Sequence, residues 1–269
     1  MRVHLALVDL LQEVQPGALL MGLVADGISL EASPGQFYML RVGEENDPFL
    51  PRPFSWLRRG GGACGGGDRV EILFQVVGKA TARLARMRPG QKVQALGPLG
   101  RGWQWDPGRV PLLVGGGMGA ASLVSLLQWL PAHERSRVRA LVGARLGRQL
   151  WCAHEMSRMG ARVLVASEDG GEGFHGTVLG LLKEREGHLL QTDTEIFACG
   201  PRDMLREIVM WASRKGVPCQ VSVETPMACG VGVCLGCAVR LSSAAGYARA
   251  CKEGPVFRAE EIDWDWDNG

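Results

Sequence analysis

Four cysteines stand near the end of the sequence: Cys229, Cys234, Cys237 and Cys251. The first three are spaced C-x4-C-x2-C, within Met227-Ala228-Cys229-Gly230-Val231-Gly232-Val233-Cys234-Leu235-Gly236-Cys237. That spacing, with a later fourth cysteine, is the plant-type ligand pattern of a 2Fe–2S cluster. Thiolate sulfur is the soft ligand such iron takes. Gly230, Gly232 and Gly236 would let the backbone take positive φ and wrap the cluster closely. A structural zinc site also uses four cysteines. Zinc knuckles, however, offer two short C-x2-C pairs, whereas one compact loop supplies three ligands here. A cluster moves one electron at a time, so the rest of the chain should hold an electron source.

Three other segments have the chemistry of cofactor loops. Pro51-Arg52-Pro53-Phe54-Ser55 presents Arg52 and Ser55 on a segment that two prolines stiffen, at a strand edge. A guanidinium there could clamp a pyrophosphate, and the hydroxyl could bond a flavin ring nitrogen. Taken alone, these residues read more simply as a proline-stiffened edge strand with a solvated arginine. Leu73-Phe74-Gln75-Val76-Val77-Gly78-Lys79-Ala80-Thr81 runs from a strand into a helix expected over 81–87. Thr81 near that start suits a phosphate, or an ordinary cap. Leu112-Leu113-Val114-Gly115-Gly116-Gly117-Met118-Gly119 is a buried strand entering a glycine loop and a small-residue helix start. Glycine there permits a pyrophosphate to approach the backbone, although the spacing is not a clean G-x-G-x-x-G and a tight turn would need glycine too. Cys199-Gly200-Pro201 closes another strand at the same sheet edge.

These loops need elements to position them. The first hundred residues read as short apolar runs at 3–8, 18–24, 36–42, 70–77 and 92–95, separated by Pro-Gly and Asp-Gly turns. Such spacing predicts a closed antiparallel barrel. The glycine-rich stretch 60–67 reads as an exposed hairpin tip, with Cys64 a bystander. From about 109 the rhythm changes. Strands expected at 111–114, 138–142, 162–166, 195–198 and 220–223 alternate with helices at 120–130, 149–159, 177–186 and 204–214. That alternation predicts a doubly wound parallel sheet with helices on both faces. The expected division is a barrel over 1–101, an α/β domain over 102–223, and a small iron–sulfur subdomain over 224–269, organised by its metal.

Bulk properties narrow the class. Hydrophobic residues make up 46% of the 269, enough for real cores, and the net charge is only +2. Without basic clusters, nucleic acid is not an expected partner. Eight cysteines in a chain this long do not form a disulfide scaffold, and a reducing cytoplasm is the expected location. No secretory signal opens the sequence. Residues 110–132 lack Asp, Glu, Lys and Arg and are long enough to span a bilayer, but three consecutive glycines split them into a strand and a helix. No integral membrane segment is therefore expected.

In order, the R-P-F-S, G-x-x-T, G-P-L-G, G-G-G-x-G and C-G-P motifs resemble the ferredoxin–NADP reductase superfamily. Its barrel binds flavin and its α/β domain a pyridine nucleotide. The tail, from Glu224-Thr225-Pro226-Met227 to Cys251-Lys252-Glu253-Gly254-Pro255-Val256-Phe257, resembles the electron transfer subunits of dihydroorotate dehydrogenase B. This resemblance implies FAD on Arg52, Pro53, Phe54 and Ser55, on the backbone of Leu73, Phe74 and Gln75, and on Ala80 and Thr81 at the phosphates. Ala80 departs from the glycine common at that position. The nucleotide loops are Gly115, Gly116, Gly117 and Gly119 with Cys199, Gly200 and Pro201, and the cluster ligands are the four cysteines. Electrons from dihydroorotate would pass through FMN on a separate catalytic subunit, then the cluster, then FAD, to NAD, in a heterotetramer with two of each subunit. His4, His133, His154, His175 and His188 are scattered, and no acid–base group suited to a pyrimidine is evident, so the ring chemistry would belong to that partner. The FAD subunits of NADH-dependent ferredoxin:NADP reductases and sulfhydrogenases share most motifs but usually carry aspartate where Cys229 stands. A cluster-bearing redox sensor without turnover is the alternative outside the enzymes.

Overall fold

The computed structural model describes residues 1–29, 31–43, 47–61, 68–243 and 246–265. Cys64 and most of the glycine-rich tip lie outside these. Six strands, β1 (Arg2–Gln15), β2 (Ala18–Ala25), β3 (Phe37–Arg41), β4 (Arg52–Gly61), β5 (Asp68–Gln75) and β6 (Lys92–Leu99), close an antiparallel barrel in the order β1-β2-β5-β4-β3-β6. Their alternation sorts two faces. Tyr38 and Leu40 point into the barrel with Met21, Leu23, Trp56 and Ile72. Phe37 and Met39, one residue out of step, point outward.

Helix α1 (Lys79–Leu84) follows β5, two residues earlier than the sequence reading placed it. Thr81 is therefore inside the first turn. Its hydroxyl reaches back to accept from the amides of Val77 and Gly78 at 2.9 and 3.0 Å, which draws the helix start back to Lys79.

The second body is a parallel sheet. Strands β7 (Val110–Gly116), β8 (Arg139–Ala144), β9 (Arg162–Ser167), β10 (Phe174–His175), β11 (Thr194–Cys199) and β12 (Cys219–Ser222) alternate with α2 (Ala120–Trp129), α3 (Ala132–Arg135), α4 (Trp151–Arg158), α5 (Val178–Leu189) and α6 (Arg202–Lys215). Side chains of α2 and α4 pack on one face, with Leu113, Ala140 and Phe197. Those of α5 and α6 pack on the other, with Leu112, Leu141 and Ile196. The 110–132 stretch is β7 and the ten-residue α2, and no helix among the described residues is long and apolar enough to cross a membrane.

The tail adds β13 (Ala238–Arg240), β14 (Tyr247–Arg249) and β15 (Val256–Arg258). β13 and β14 form a hairpin. β15 pairs antiparallel with β12, extending the sheet to the order β10-β9-β8-β7-β11-β12-β15. Val239, Ala248, Cys251, Phe257 and Ile262 share a core with α5, α6 and the outward face of β3. The tail is thus held by sheet and core as well as by any metal it binds.

Candidate functional site

In the barrel, β3 and β4 pair as Phe37↔Ser55, Tyr38↔Phe54, Met39↔Pro53 and Leu40↔Arg52. The ladder from β4 to β5 begins only at Trp56↔Ile72. Arg52–Ser55 and Leu73–Gln75 therefore lie on two strands that have parted. The R-P-F-S segment is a local edge inside a closed barrel, which is where a proline can sit without costing a ladder bond. Residues directly opposite share a face. Pro53 and Ser55 therefore look outward with Met39 and Phe37, while Phe54 meets Phe74 edge-on at 5.9 Å between ring centroids. Exposed Phe49, Leu50, Val76 and Val77 rim the parting. The guanidinium of Arg52 is folded back, donating to the carbonyls of Leu50 at 2.8 Å and Pro51 at 3.3 Å.

At the α/β sheet, β7 and β11 are neighbours, and the chain winds from β7 toward β8 and β9 on one side and from β11 toward β12 on the other. Their carboxyl ends flank the switch point, the place where such sheets bind ligands. Gly115–Gly117 and Gly119 lie at one end and Cys199–Pro201 at the other. Most of these glycines serve packing. A Cβ on Gly116 would lie 2.4 Å from Met204 Sδ, and one on Gly119 only 2.6 Å from the amide nitrogen of Gly200. Gly117 alone of the four combines a positive φ, +53°, with open space where a side chain would be. Burial pushes the Cys199 thiol up to about 12, against a hydrogen bond with Ser222.

The four tail cysteines come together in two pairs. Cys237 and Cys251 are both buried, with sulfurs 3.2 Å apart. Cys229 accepts from the amides of Val231 at 3.4 Å and Cys234 at 3.5 Å. Burial opposes ionisation of Cys229, but the Cys234 and Val231 amides and the Cys234 side chain prevail and lower its thiol to about 6. Burial and the neighbouring Cys237 push Cys251 up to about 12. Gly230 and Gly232 take positive φ, as expected, but Gly236 does not; Leu235 takes that role at φ 61°.

The loop is seated on the barrel. A Cβ on Gly230 would lie 2.5 Å from Met39 Cγ and 3.2 Å from Leu99 Cδ1. Beyond Cys251, the carbonyl of Gly254 accepts from the amide of Arg101 at 2.5 Å. Met39 is the strand partner of Pro53. The cysteine loop thus sits over the strand next to the R-P-F-S segment, one strand spacing, about 5 Å, away along the sheet.

Comparison with known proteins follows this geometry. Residues 224–263 match the family described as the iron–sulfur cluster binding domain of dihydroorotate dehydrogenase B. The dihydroorotate dehydrogenase B (NAD(+)) electron transfer subunit of Desulforamulus reducens is 40% identical over 258 residues, covering 94% of this chain and 95% of its own length. That of Clostridium acetobutylicum is 32% identical over 248 residues, covering 89% and 92%. The chain belongs to the family of dihydroorotate dehydrogenase B electron transfer subunits. An NADH-dependent reduced ferredoxin–NADP oxidoreductase, described for flavin-based electron bifurcation, superposes with a TM-score of 0.83 at 27% identity, over 97% of this chain and 90% of that one. A ferredoxin–NADP+ reductase from Neisseria gonorrhoeae shares the fold, with a TM-score of 0.64 at 19% identity, over 80% and 92%.

The donor set of this family member fits a two-iron cluster. Each iron of such a cluster takes two thiolates, whereas one zinc takes four ligands around a point. The sulfurs are arranged two and two, and among the described residues no three His, Cys, Asp or Glu side chains converge on a single ion position. The sequence reading missed the contacts that join the bodies. Arg58 of β4 donates to Glu71 of β5 and to Glu155 of α4, each at 2.5 Å, and lies over the Trp151 ring at 5.7 Å. Gln128 of α2 accepts from the amide of Arg59 and donates to its carbonyl, both at 2.9 Å, standing in for a strand neighbour of β4. Residues 69 and 97 apart in sequence carry no periodic signal of such a meeting.

Proposed function

We propose that this chain is the electron transfer subunit of an NAD-linked dihydroorotate dehydrogenase of pyrimidine biosynthesis. It accepts electrons that an FMN-containing catalytic subunit takes from dihydroorotate and delivers them to NAD+. The observation that carries the reading is the seating of the cysteine loop, through Gly230, on the strand partner of Pro53. When bound, FAD joins the one-electron chemistry of a 2Fe–2S cluster to the hydride chemistry of a nicotinamide, and the chain contributes placement and electronic environment.

Arg52 would hold the FAD pyrophosphate. Pro53 and Phe54 would contact the flavin, and Ser55, on the outward face of β4, would offer its hydroxyl to the ring. Leu73, Phe74 and Gln75 offer backbone groups on the opposite side of the parting, and Ala80 and Thr81 stand at the phosphates. Gly115, Gly116, Gly117 and Gly119, with Cys199, Gly200 and Pro201, form the nucleotide crevice, where Gly117 has the room for close approach. Cys229 and Cys234 would hold one iron, and Cys237 and Cys251 the other.

As working units we divide the chain into an FAD barrel (1–101), a nucleotide domain (102–223) and a cluster subdomain (224–269). The reading places the complex in the cytoplasm, as two copies of each subunit, with the cluster loop facing the catalytic partner. Higher identity to the dihydroorotate relatives than to the bifurcating reductase, and Cys229 in place of aspartate, favour it over the ferredoxin-linked alternative. Purified anaerobically, the isolated chain should hold one FAD, with about two iron and two sulfide, as a four-thiolate site requires. It should oxidise NADH with an artificial acceptor and make no orotate. Stoichiometric zinc without sulfide, or orotate formed by the chain alone, would overturn the proposal.

A further inference from the structure

Apolar residues that point outward from the barrel are covered almost everywhere. Leu20, Leu57 and Leu73 are buried in the core that includes α2. Phe37, Met39 and Leu99 are buried under the tail and the α/β sheet. Strand β1 is the exception among the described residues of the barrel strands. His4, Ala6 and Val8 are buried, while the alternate residues Val3 and Leu5 are 62% and 61% exposed, and Leu7 is also exposed. A barrel strand with one solvated face normally alternates apolar with polar residues. Here the outer row is apolar too.

That row leads to the cluster loop. Val3 pairs with Leu96 of β6, Leu96 pairs with Met39 of β3, and Gly230 rests on Met39. The β1 ridge therefore begins two strands from the loop, about 10 Å away on the same outward face. At the loop tip Val233 is 78% exposed, and Leu235, 62% exposed, is held out at a positive φ that L side chains rarely adopt. Strained conformations of this kind cluster at functional sites.

We propose that the β1 ridge (Val3, Leu5, Leu7) and the cluster-loop tip (Val233, Leu235) form one docking face for the catalytic subunit. The inference rests on the function proposed above. It adds that the barrel shares the footprint with the cluster loop, so that the partner is held on both sides of the electron exit. The occupant follows from continuity: the ridge adjoins the loop that must face the catalytic subunit for electrons to arrive. Exposed apolar side chains gathered on one outward face mark an interaction site.

The test is a Val3→Glu/Leu5→Glu double variant titrated against the purified catalytic subunit by analytical ultracentrifugation. Flavin, iron and NADH oxidation with an artificial acceptor are measured on the same sample. Neither residue touches a cofactor loop, so those three properties should equal wild type. The dissociation constant for the catalytic subunit should rise at least about tenfold, as expected on losing buried apolar anchors. Leu235→Gly, which keeps the backbone conformation, should weaken binding similarly while retaining the visible spectrum of the cluster. Unchanged affinity in the double variant overturns the ridge while leaving the functional reading intact. Failure of the wild-type chain to bind the catalytic subunit overturns that reading itself. Loss of self-association with the mixed complex unaffected makes the ridge a contact between copies of this chain and overturns the proposal.

Discussion

Gly230→Ala tests whether the cluster loop must lie flat on the barrel. The added methyl meets two penalties. At φ +71° an L residue costs about 1–2 kcal/mol relative to glycine. The Cβ would also lie 2.5 Å from Met39 Cγ and 3.1 Å from its Sδ. Met39 is 1% exposed, and the closest atom is near the root of its side chain, so it cannot swing clear. Overpacking of this kind costs about 1–3 kcal/mol. The sum, about 2–5 kcal/mol, falls on the loop, since the barrel ladders do not pass through Gly230. The assay is the rate of iron loss to a chelator under anaerobic conditions, with FAD content followed in parallel. If the loop must lift before iron leaves, loss should accelerate at least about thirtyfold, the equivalent of 2 kcal/mol, while FAD stays bound. Met39→Ala in the Gly230→Ala background should recover the packing part and leave the φ part, giving a favourable coupling in a double-mutant cycle. Gly236→Ala is the control: its φ is ordinary and its Cβ would meet only Cys234 Sγ, at 3.7 Å. Iron loss at the wild-type rate in Gly230→Ala, or no coupling to Met39, would refute the seating.

Other residues give separate outcomes. Arg52→Ala should weaken FAD retention by about 1.5–3 kcal/mol, the worth of a charge-assisted phosphate contact; a dilution series followed by flavin fluorescence reads it, with the fold unchanged by circular dichroism. Cys251→Ser should lose most of its iron and sulfide on anaerobic gel filtration, because hydroxyl oxygen is a poorer ligand for this iron than thiolate, and it should keep FAD. Glu155→Ala leaves Arg58 and Arg158 without their shared carboxylate. The unfolding free energy from urea titration should fall by about 2–3 kcal/mol, less than for a fully buried pair because the Arg58 side chain keeps 30% of its exposure.

Much of the fold was legible because each body is built from local repeats. The apolar runs of the barrel and the strand–helix alternation after residue 109 correspond to β1–β3, β5–β9, β11, β12, α2 and α4–α6, although β1 runs on to Gln15, and the two-residue β10 and four-residue α3 were too short to leave a periodic signal. Strand β4 was read only as a stiffened edge, since Pro53, with Pro51 just before it, masks a strand whose neighbours part at Trp56. Thr81 read as a helix start because a hydroxyl bond back to Gly78 looks in sequence like a cap. The cysteine spacing announced the cluster, but not that Leu235 rather than Gly236 would take the left-handed turn. Least legible were the joints. The Arg58–Glu155 and Gln128–Arg59 contacts, and the addition of β15 to the sheet, depend on segments brought together only by the complete fold.

The central claim is that this chain links a dihydroorotate-oxidising partner to NAD+. It is tested most directly by mixing the purified chain with the FMN-containing catalytic subunit and following dihydroorotate-dependent NADH formation. NADH and orotate should appear in equal amounts only when both subunits are present, and Cys251→Ser should abolish NADH formation while sparing NADH oxidation with an artificial acceptor. Equal NADH formation with the cluster-deficient variant, or none with the intact pair, would contradict the account.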